Sequence, residues 1–201
     1  VLEAVKQNGD VLVYASAEFK GDREIMLEAV KHDEDTLRFA SAELQGDREI
    51  VLEAVKTNGY ALAYASAELK GDREIVLEAV KQDGRALQYA SGGLQGDHGV
   101  VLEAVKQSRH ALEFALEDLK TDGYFMLEAV KEDRRAFFYA LEELRGNPCF
   151  INDVRRVLLE IPGVRDLNVI IQEVAIRWYS YITLPEHLKA NLEIIKAVID
   201  S

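Results

Sequence analysis

The chain has 201 residues, 48% of them hydrophobic, and a formal net charge of −12 at pH 7. This composition supplies enough apolar side chains for a packed core, and no apolar run approaches the roughly 18 residues of a membrane-spanning helix. Because an acidic surface repels the phosphates of nucleic acids and of anionic membranes, the sequence argues against both as partners.

One hexapeptide, VLEAVK or MLEAVK, recurs at a fixed step of 25 residues. It begins at Val1, Met26, Val51, Val76, Val101 and Met126. A period of roughly 20 to 50 residues is typical of stacked repeat arrays. The sequence therefore predicts six repeats over residues 1–147, the first truncated at its N-terminus in a fragment of a longer chain. We number them so that repeat three is Asp47–Gly71 and the neighbouring repeats lie 25 residues away.

Repeat three predicts a hairpin of two helices, each about ten residues long. Asp47 has the position of an N-cap before an apolar helix face that includes Ile50 and Ala54. Asn58-Gly59 offers a residue that tolerates a positive φ and so ends the first helix. The second helix is predicted from Leu62, Ala65 and Leu69, with Gly71 closing it. We therefore expect an all-α fold, a right-handed α-hairpin solenoid of six 25-residue repeats.

Repeat four differs from its neighbours in the second predicted helix. Gly92 and Gly93 stand where repeats two and three have Ala-Glu. A glycine inside a helix costs about 1 kcal/mol relative to alanine. Repeat four is therefore predicted to be the weakest unit and a place where the array bends.

Residues 148–201 lack the 25-residue period and form the second predicted region. Asn147-Pro148 has the spacing of an N-cap and a first helical residue. A longer helix is predicted near residues 167–182, with Trp178 on its buried stripe, and a third helix begins at Thr183. We expect a C-terminal three-helix cap or an atypical continuation of the array.

The repeats resemble an uncharacterised helical-repeat family, a domain of unknown function. The resemblance rests on REIVLEAVK at residues 48–56, ALAYAS at residues 61–66 and LKGD at residues 69–72, with close variants in the sister repeats. It covers residues 1–147 and implies relatives among proteins of protists, large viruses and intracellular bacteria, where some are injected effectors. It implies no activity, cofactor or catalytic residue.

Residue types that carry chemistry have structural interpretations here. The hexapeptide glutamates, such as Glu53, each precede a lysine by three residues, which is the spacing of a helical ion pair rather than of an acid/base site. The aromatic row that includes Tyr64 is predicted to pack between repeats. The four histidines and Cys149 lack the spacing of a zinc site or of a nucleophile with its base. We therefore predict no catalytic, metal or cofactor site in this fragment.

The turn between the two predicted helices, and the stripe that continues from it, vary most among the repeats. Counted from Val1 of the first repeat, positions 10, 13, 17 and 20 are expected to share one helix face; there they are Asp10, Val13, Ala17 and Lys20. The early turns are acidic, whereas repeats four to six carry a basic set with one apolar neighbour, the predicted turn ridge: Arg85, Arg109, His110, Arg134, Arg135 and Phe138. Because arginine donates paired bonds to carboxylates, this ridge is predicted to bind a protein with an acidic or mixed surface.

The sequence favours a non-enzymatic scaffold for protein–protein interaction. Three alternatives remain open at this stage: the substrate-recognition region of a larger enzyme, a structural spacer, and a small-ligand-binding protein, which a polar pocket between repeat six and the C-terminal helices would favour. The composition and the absence of a signal-like segment predict a cytoplasmic protein. If the chain belongs to a secreted effector of an intracellular bacterium, the predicted compartment is the host cytosol.

Overall fold

A computed structural model describes residues 2–7, 9–32 and 35–160, with side chains up to residue 157. Every repeat begins with an α-helix. These first helices are Leu2–Gln7, Arg23–His32, Arg48–Thr57, Arg73–Gln82, His98–Gln107 and Gly123–Glu132. Strands are absent from the described residues, and the predicted all-α repeat array is confirmed.

The first helix forms where the sequence places it. The Asp47 side chain accepts hydrogen bonds from the backbone N–H groups of Glu49 and Ile50, so it caps two of the amides that a helix start leaves unpaired. Ile50 and Ala54 are buried, and the first helices of neighbouring repeats pack on each other. This packing stabilises a helix that is too short to be stable alone.

The second half of each repeat is not the single α-helix that the sequence predicted. It consists of a 3-10 helix, a break and a short third helix. The 3-10 helices are Gly9–Tyr14, Thr36–Phe39, Gly59–Tyr64, Gly84–Tyr89, Arg109–Glu113 and Arg134–Tyr139. The short third helices are Ala17–Lys20, Leu44–Gly46, Leu69–Gly71, Gly92–Gln95, Glu117–Thr121 and Glu142–Arg145.

The break has a specific cause, a hydrogen bond between repeats. Ala65 is extended, with φ −65° and ψ 154°, which frees the N–H of Ser66 from any helix. That N–H donates to the carbonyl of Gln45 in the preceding repeat, at 2.9 Å. The same bond recurs from Ser41 to Lys20, from Ser91 to Lys70 and from Leu116 to Gln95. We call this series the backbone ladder.

Two glycine predictions also need correction. Asn58 has φ −145° and caps the 3-10 helix by accepting from the N–H of Tyr60, so no positive φ ends the first helix there. Gly92 and Gly93 do not lie inside a long helix, because they begin the short helix Gly92–Gln95. The backbone ladder continues on both sides of them, at Ser91 and at Gln95.

The chain divides into two compact units, residues 1–120 and residues 121–201. The first contains repeats one to five, and the second begins with repeat six. In the second unit, the helix Pro148–Glu160 packs on the helix Gly123–Glu132, with Phe150 buried. The rest of the predicted cap, including Trp178 and the helix that begins at Thr183, lies outside the described residues.

Candidate interaction surface

A row of arginines ties the starts of successive first helices together. The Arg48 Nε donates to Asp72 at 3.0 Å, and its Nη2 pairs with Glu74. Arg23 makes the equivalent bonds to Asp47 and Glu49, and Arg73 bonds to Asp97. Each acceptor aspartate is also the N-cap of its own helix. Because the same geometry recurs from repeat to repeat, we assign this arginine ladder to stacking rather than to partner binding.

The aspartates of the arginine ladder have pKa values below the ordinary value of an aspartate. The hydrogen bond from Arg23 lowers the pKa of the Asp47 carboxyl, with help from the N–H groups of Ile50 and Glu49, although burial works in the opposite direction. A carboxyl whose pKa is lower in the folded state stabilises the fold above its unfolded pKa of about 3.9. That contribution is lost as the pH falls through the folded pKa.

We therefore expect the stability difference between the wild type and Asp47→Asn to shrink when the pH falls from 6 to 3. Asparagine keeps the capping oxygen but has no charge to offer Arg23. Urea denaturation at several pH values, followed by circular dichroism, measures both free energies of unfolding. Parallel curves for the two proteins would show that the charge of Asp47 is irrelevant.

The hexapeptide glutamates form the predicted ion pairs within the first helix. Glu53 pairs with Lys56 at 3.3 Å, and Glu103 pairs with Lys106 at 2.9 Å. The same spacing recurs at Glu28, Glu78 and Glu128. Repeats two to six thus form the predicted pair internally, whereas Lys6 of repeat one lies 3.9 Å from Glu28 of repeat two. A feature that recurs in this way carries no information about a particular partner.

Two residues of the turn ridge line an open groove of about 330 Å³ between repeats four and five. Arg85 and His110 lie on it from successive repeats. The other lining residues are Gln82, Asp83, Gly84, Gln107 and Ser108. The structure thus brings together two of the predicted ridge residues, both exposed, with polar neighbours.

The groove is mixed in charge rather than basic. The Arg85 guanidinium bonds to the carboxyl of Asp83 two residues earlier, at 3.0 Å. Burial raises the pKa of Asp83, but the bonds from the side chain and N–H of Arg85 outweigh it and leave that pKa below its usual value. The guanidinium also lies over the ring of Tyr60 in repeat three, 5.6 Å from its centroid. His110 Nδ1 is 2.7 Å from the carboxylate of Glu113.

Arg109 has a different environment from its ridge neighbours. It is half-buried and holds the position of Gly59 and Gly84 in the sister repeats. The residues that line the groove do not include it.

In the second unit, Arg134 and Arg135 are exposed at the start of the 3-10 helix Arg134–Tyr139. Phe138 is half-buried and packs edge to face on Phe137, with 6.0 Å between the ring centroids. Phe137 in turn stacks on Phe150 at 6.1 Å. Phe138 therefore belongs to an aromatic cluster in which Phe137 is also half-buried and Phe150 is buried.

The predicted stripe of positions 10, 13, 17 and 20 does not exist as one helix face, because the break separates its two halves. Position 20 instead has a structural role. The Lys70 Nζ folds back to the carbonyl of Ala63 at 2.7 Å, and the Gln95 amide nitrogen does the same to Leu87 at 3.2 Å. A long donor at this position thus reaches the last carbonyls of the 3-10 helix, and both lysine and glutamine can supply it.

These features define the class of the protein: an all-α array of 25-residue helical repeats joined by periodic backbone and side-chain bonds. Comparison with known families then identifies the family to which the chain belongs. The family described as Domain of unknown function (DUF4116) matches residues 1–45, 47–95, 72–120 and 97–145, and the chain belongs to this family. No curated protein and no solved structure matches the chain.

Metal binding and membrane insertion can be checked on the part of the chain that the structure describes. They contain no group of three or more histidine, cysteine, aspartate or glutamate side chains arranged to hold a metal ion. Within the same part of the chain, every helix is too short or too polar to cross a membrane.

Proposed function

We propose that this array is a non-enzymatic scaffold for protein–protein interaction, and that the turn ridge carries its specificity. The observation that carries the proposal is a contrast between neighbouring positions of the 3-10 helix. Its central leucine is fully buried in repeats one to five. Two residues earlier, the six repeats place Asp10, Asp35, Tyr60, Arg85, His110 and Arg135. These six residues are of four types, so the surface varies along the array while the buried frame stays constant.

The groove chemistry favours a partner of mixed charge. Arg85 and His110 are each paired with a carboxylate of their own repeat, so a purely acidic partner must compete with Asp83 and Glu113. A partner that offers both a carboxylate and a donor can satisfy both members of each pair. Arginine and aromatic side chains, such as the half-buried Phe138, are also enriched at protein interfaces.

The experiment compares two variants with equal charge change. The ridge variant combines Arg85→Glu, Arg134→Glu and Arg135→Glu. The control combines Lys81→Glu, Lys106→Glu and Lys131→Glu, whose native partners are glutamates of the same helix. Both are checked for folding by circular dichroism and used as baits in a cell lysate, with captured proteins identified by mass spectrometry.

A protein captured by the wild type and by the lysine control, but lost with the ridge variant, supports the proposal. Equal capture by both variants contradicts the assignment of specificity to the ridge. Capture of nothing above the background of the beads contradicts the scaffold and favours a spacer. Capture of an enzyme's substrate, with lost turnover when the repeats are deleted, favours the substrate-recognition region of a larger enzyme.

We also propose a setting for this scaffold, the repeat region of a secreted effector acting in a host cytosol. This proposal is supported by the resemblance of the repeats to repeats in proteins of intracellular bacteria. Expression of the chain in host cells, with fractionation of the cytosol, tests whether it accumulates there in folded form.

A further inference from the structure

The groove between repeats four and five is lined by six polar residues and one glycine. Pockets for small molecules are mostly apolar with a few polar groups, so this groove does not have their character. Packed helices lie roughly 8–10 Å apart, whereas an α-helix with its side chains is about 10–12 Å wide. A partner helix is therefore too wide to enter between two repeats, and a single extended chain is the protein segment that fits.

Gln82 and Gln107 hold equivalent positions on the two sides of this groove. Each is the last residue of a first helix, in repeats four and five, and each is exposed. Neither side-chain amide has a hydrogen-bond partner within the part of the chain that the structure describes. A glutamine amide offers both a donor and an acceptor. Each wall of the groove therefore presents one unused donor and acceptor pair.

An extended chain presents the matching groups along both of its edges. Successive residues turn their N–H and C=O groups to opposite sides, so that one residue faces Gln82 and the next faces Gln107. When an extended peptide binds in this manner, main-chain hydrogen bonds give affinity and side-chain contacts give specificity. The two glutamines are therefore suited to the backbone of a ligand rather than to a particular side chain.

Arg85 and His110 stand at the same groove and supply contacts to side chains. The Arg85 guanidinium bonds to Asp83 at 3.0 Å and lies over the ring of Tyr60. His110 Nδ1 is 2.7 Å from the carboxylate of Glu113. Each of these ion pairs lies within one repeat, so a ligand reaches Arg85 and His110 without separating the repeats. An acidic side chain of the ligand suits Arg85, because a guanidinium binds a carboxylate through two parallel bonds.

We propose that this groove binds an extended segment of a partner protein, with Gln82 and Gln107 on its backbone and Arg85 on one acidic side chain. The inference rests on the proposed function, because it names the kind of partner that the turn ridge takes. A folded surface that contacts the ridge from outside would use the arginines without the glutamines. The glutamines therefore distinguish the two modes of binding.

The test uses the whole chain, and its probe is a phage-displayed library of linear decapeptides. The glutamine variant combines Gln82→Met and Gln107→Met, which keep the size of the side chains and remove their polar groups. The control is Gln7→Met, the same change at the equivalent exposed position of repeat one. Peptides enriched on the wild type are synthesised, and calorimetry measures their binding to the three proteins after circular dichroism has checked folding.

We expect an enriched peptide that contains an acidic residue to lose about tenfold in affinity for the glutamine variant, and to bind the Gln7→Met control like the wild type. Methylating the backbone nitrogens of the peptide one at a time should weaken binding at one position or more, because a methylated nitrogen cannot donate. Enrichment of no peptide above bare beads would overturn the proposal. Undiminished binding of the enriched peptides to the glutamine variant would overturn it as well.

The lysate capture with the ridge variant separates this outcome from a failure of the proposed function. A protein that the ridge variant loses but the glutamine variant retains leaves the ridge as an interaction surface and overturns binding of an extended segment. A protein that both variants lose, together with the peptide result, supports both proposals.

Discussion

Replacing Gly84 by alanine is expected to destabilise the array by about 3 kcal/mol, because the new methyl group has no room. An ideal Cβ on Gly84 would lie 2.2 Å from the carbonyl oxygen of Ala104 in repeat five. That oxygen cannot move freely, since it accepts the N–H of Ser108 at 2.9 Å where the first helix of repeat five ends. The substitution therefore forces two repeats apart at a backbone contact.

Gly92→Ala is the matched control in the same repeat. A Cβ on Gly92 meets nothing within 4 Å, so alanine should leave stability unchanged or raise it by up to about 1 kcal/mol. Urea denaturation followed by circular dichroism measures both changes, and hydrogen exchange at Ser108 reports the contact itself. Similar stabilities for Gly84→Ala and Gly92→Ala would contradict the close approach of the repeats.

The difference between these two glycines also marks the limit of what the sequence predicts. The first helix could be predicted because its causes are local: Asp47 caps amides two and three residues away, and Ile50 and Ala54 lie four residues apart. The role of Gly59 could not, since its close neighbour is Ala79, 20 residues further along. A glycine before a helix looks the same whether it supplies a positive φ or a close contact.

The break after Tyr64 has the same kind of non-local cause. Ala65 and Ser66 do not disrupt helices by propensity alone, and the apolar spacing of Leu62 and Leu69 continues through them. What ends the 3-10 helix is the bond from the N–H of Ser66 to Gln45 in another repeat. The apolar periodicity read from the sequence is correct. The single long second helix inferred from it is wrong, because the break divides that segment into two short helices.

The sequence shows which residue types occupy the candidate interaction surface, but it does not show which carboxylates they bind. Four residue types at one turn position identify the ridge from the sequence alone, whereas the bond between Arg85 and Asp83 depends on the local 3-10 geometry. The arginine ladder was missed, although the sequence contains a signal for it. The arginine and the glutamate that follows it occur together in repeats two to four, and both are replaced at His98-Gly99.

The backbone ladder can be tested at a single atom by Ser91→Pro, which is expected to cost about 3 kcal/mol. The N–H of Ser91 donates to the carbonyl of Lys70 at 2.8 Å, and proline has no N–H. Its ring would also place a carbon against that oxygen. Local strain does not contribute, because Ser91 has φ −61° and Ala90 before it has ψ 156°, both of which proline accepts.

Ser91→Ala is the control that isolates this bond, since alanine keeps the N–H and the Ser91 side chain makes no capping hydrogen bond. We expect it to stay within about 0.5 kcal/mol of the wild type. Denaturation compares the three proteins, and hydrogen exchange at residues 94–97 reports whether repeat four has loosened. If Ser91→Pro were as stable as Ser91→Ala, the ladder would be a consequence of helix packing rather than one of its causes.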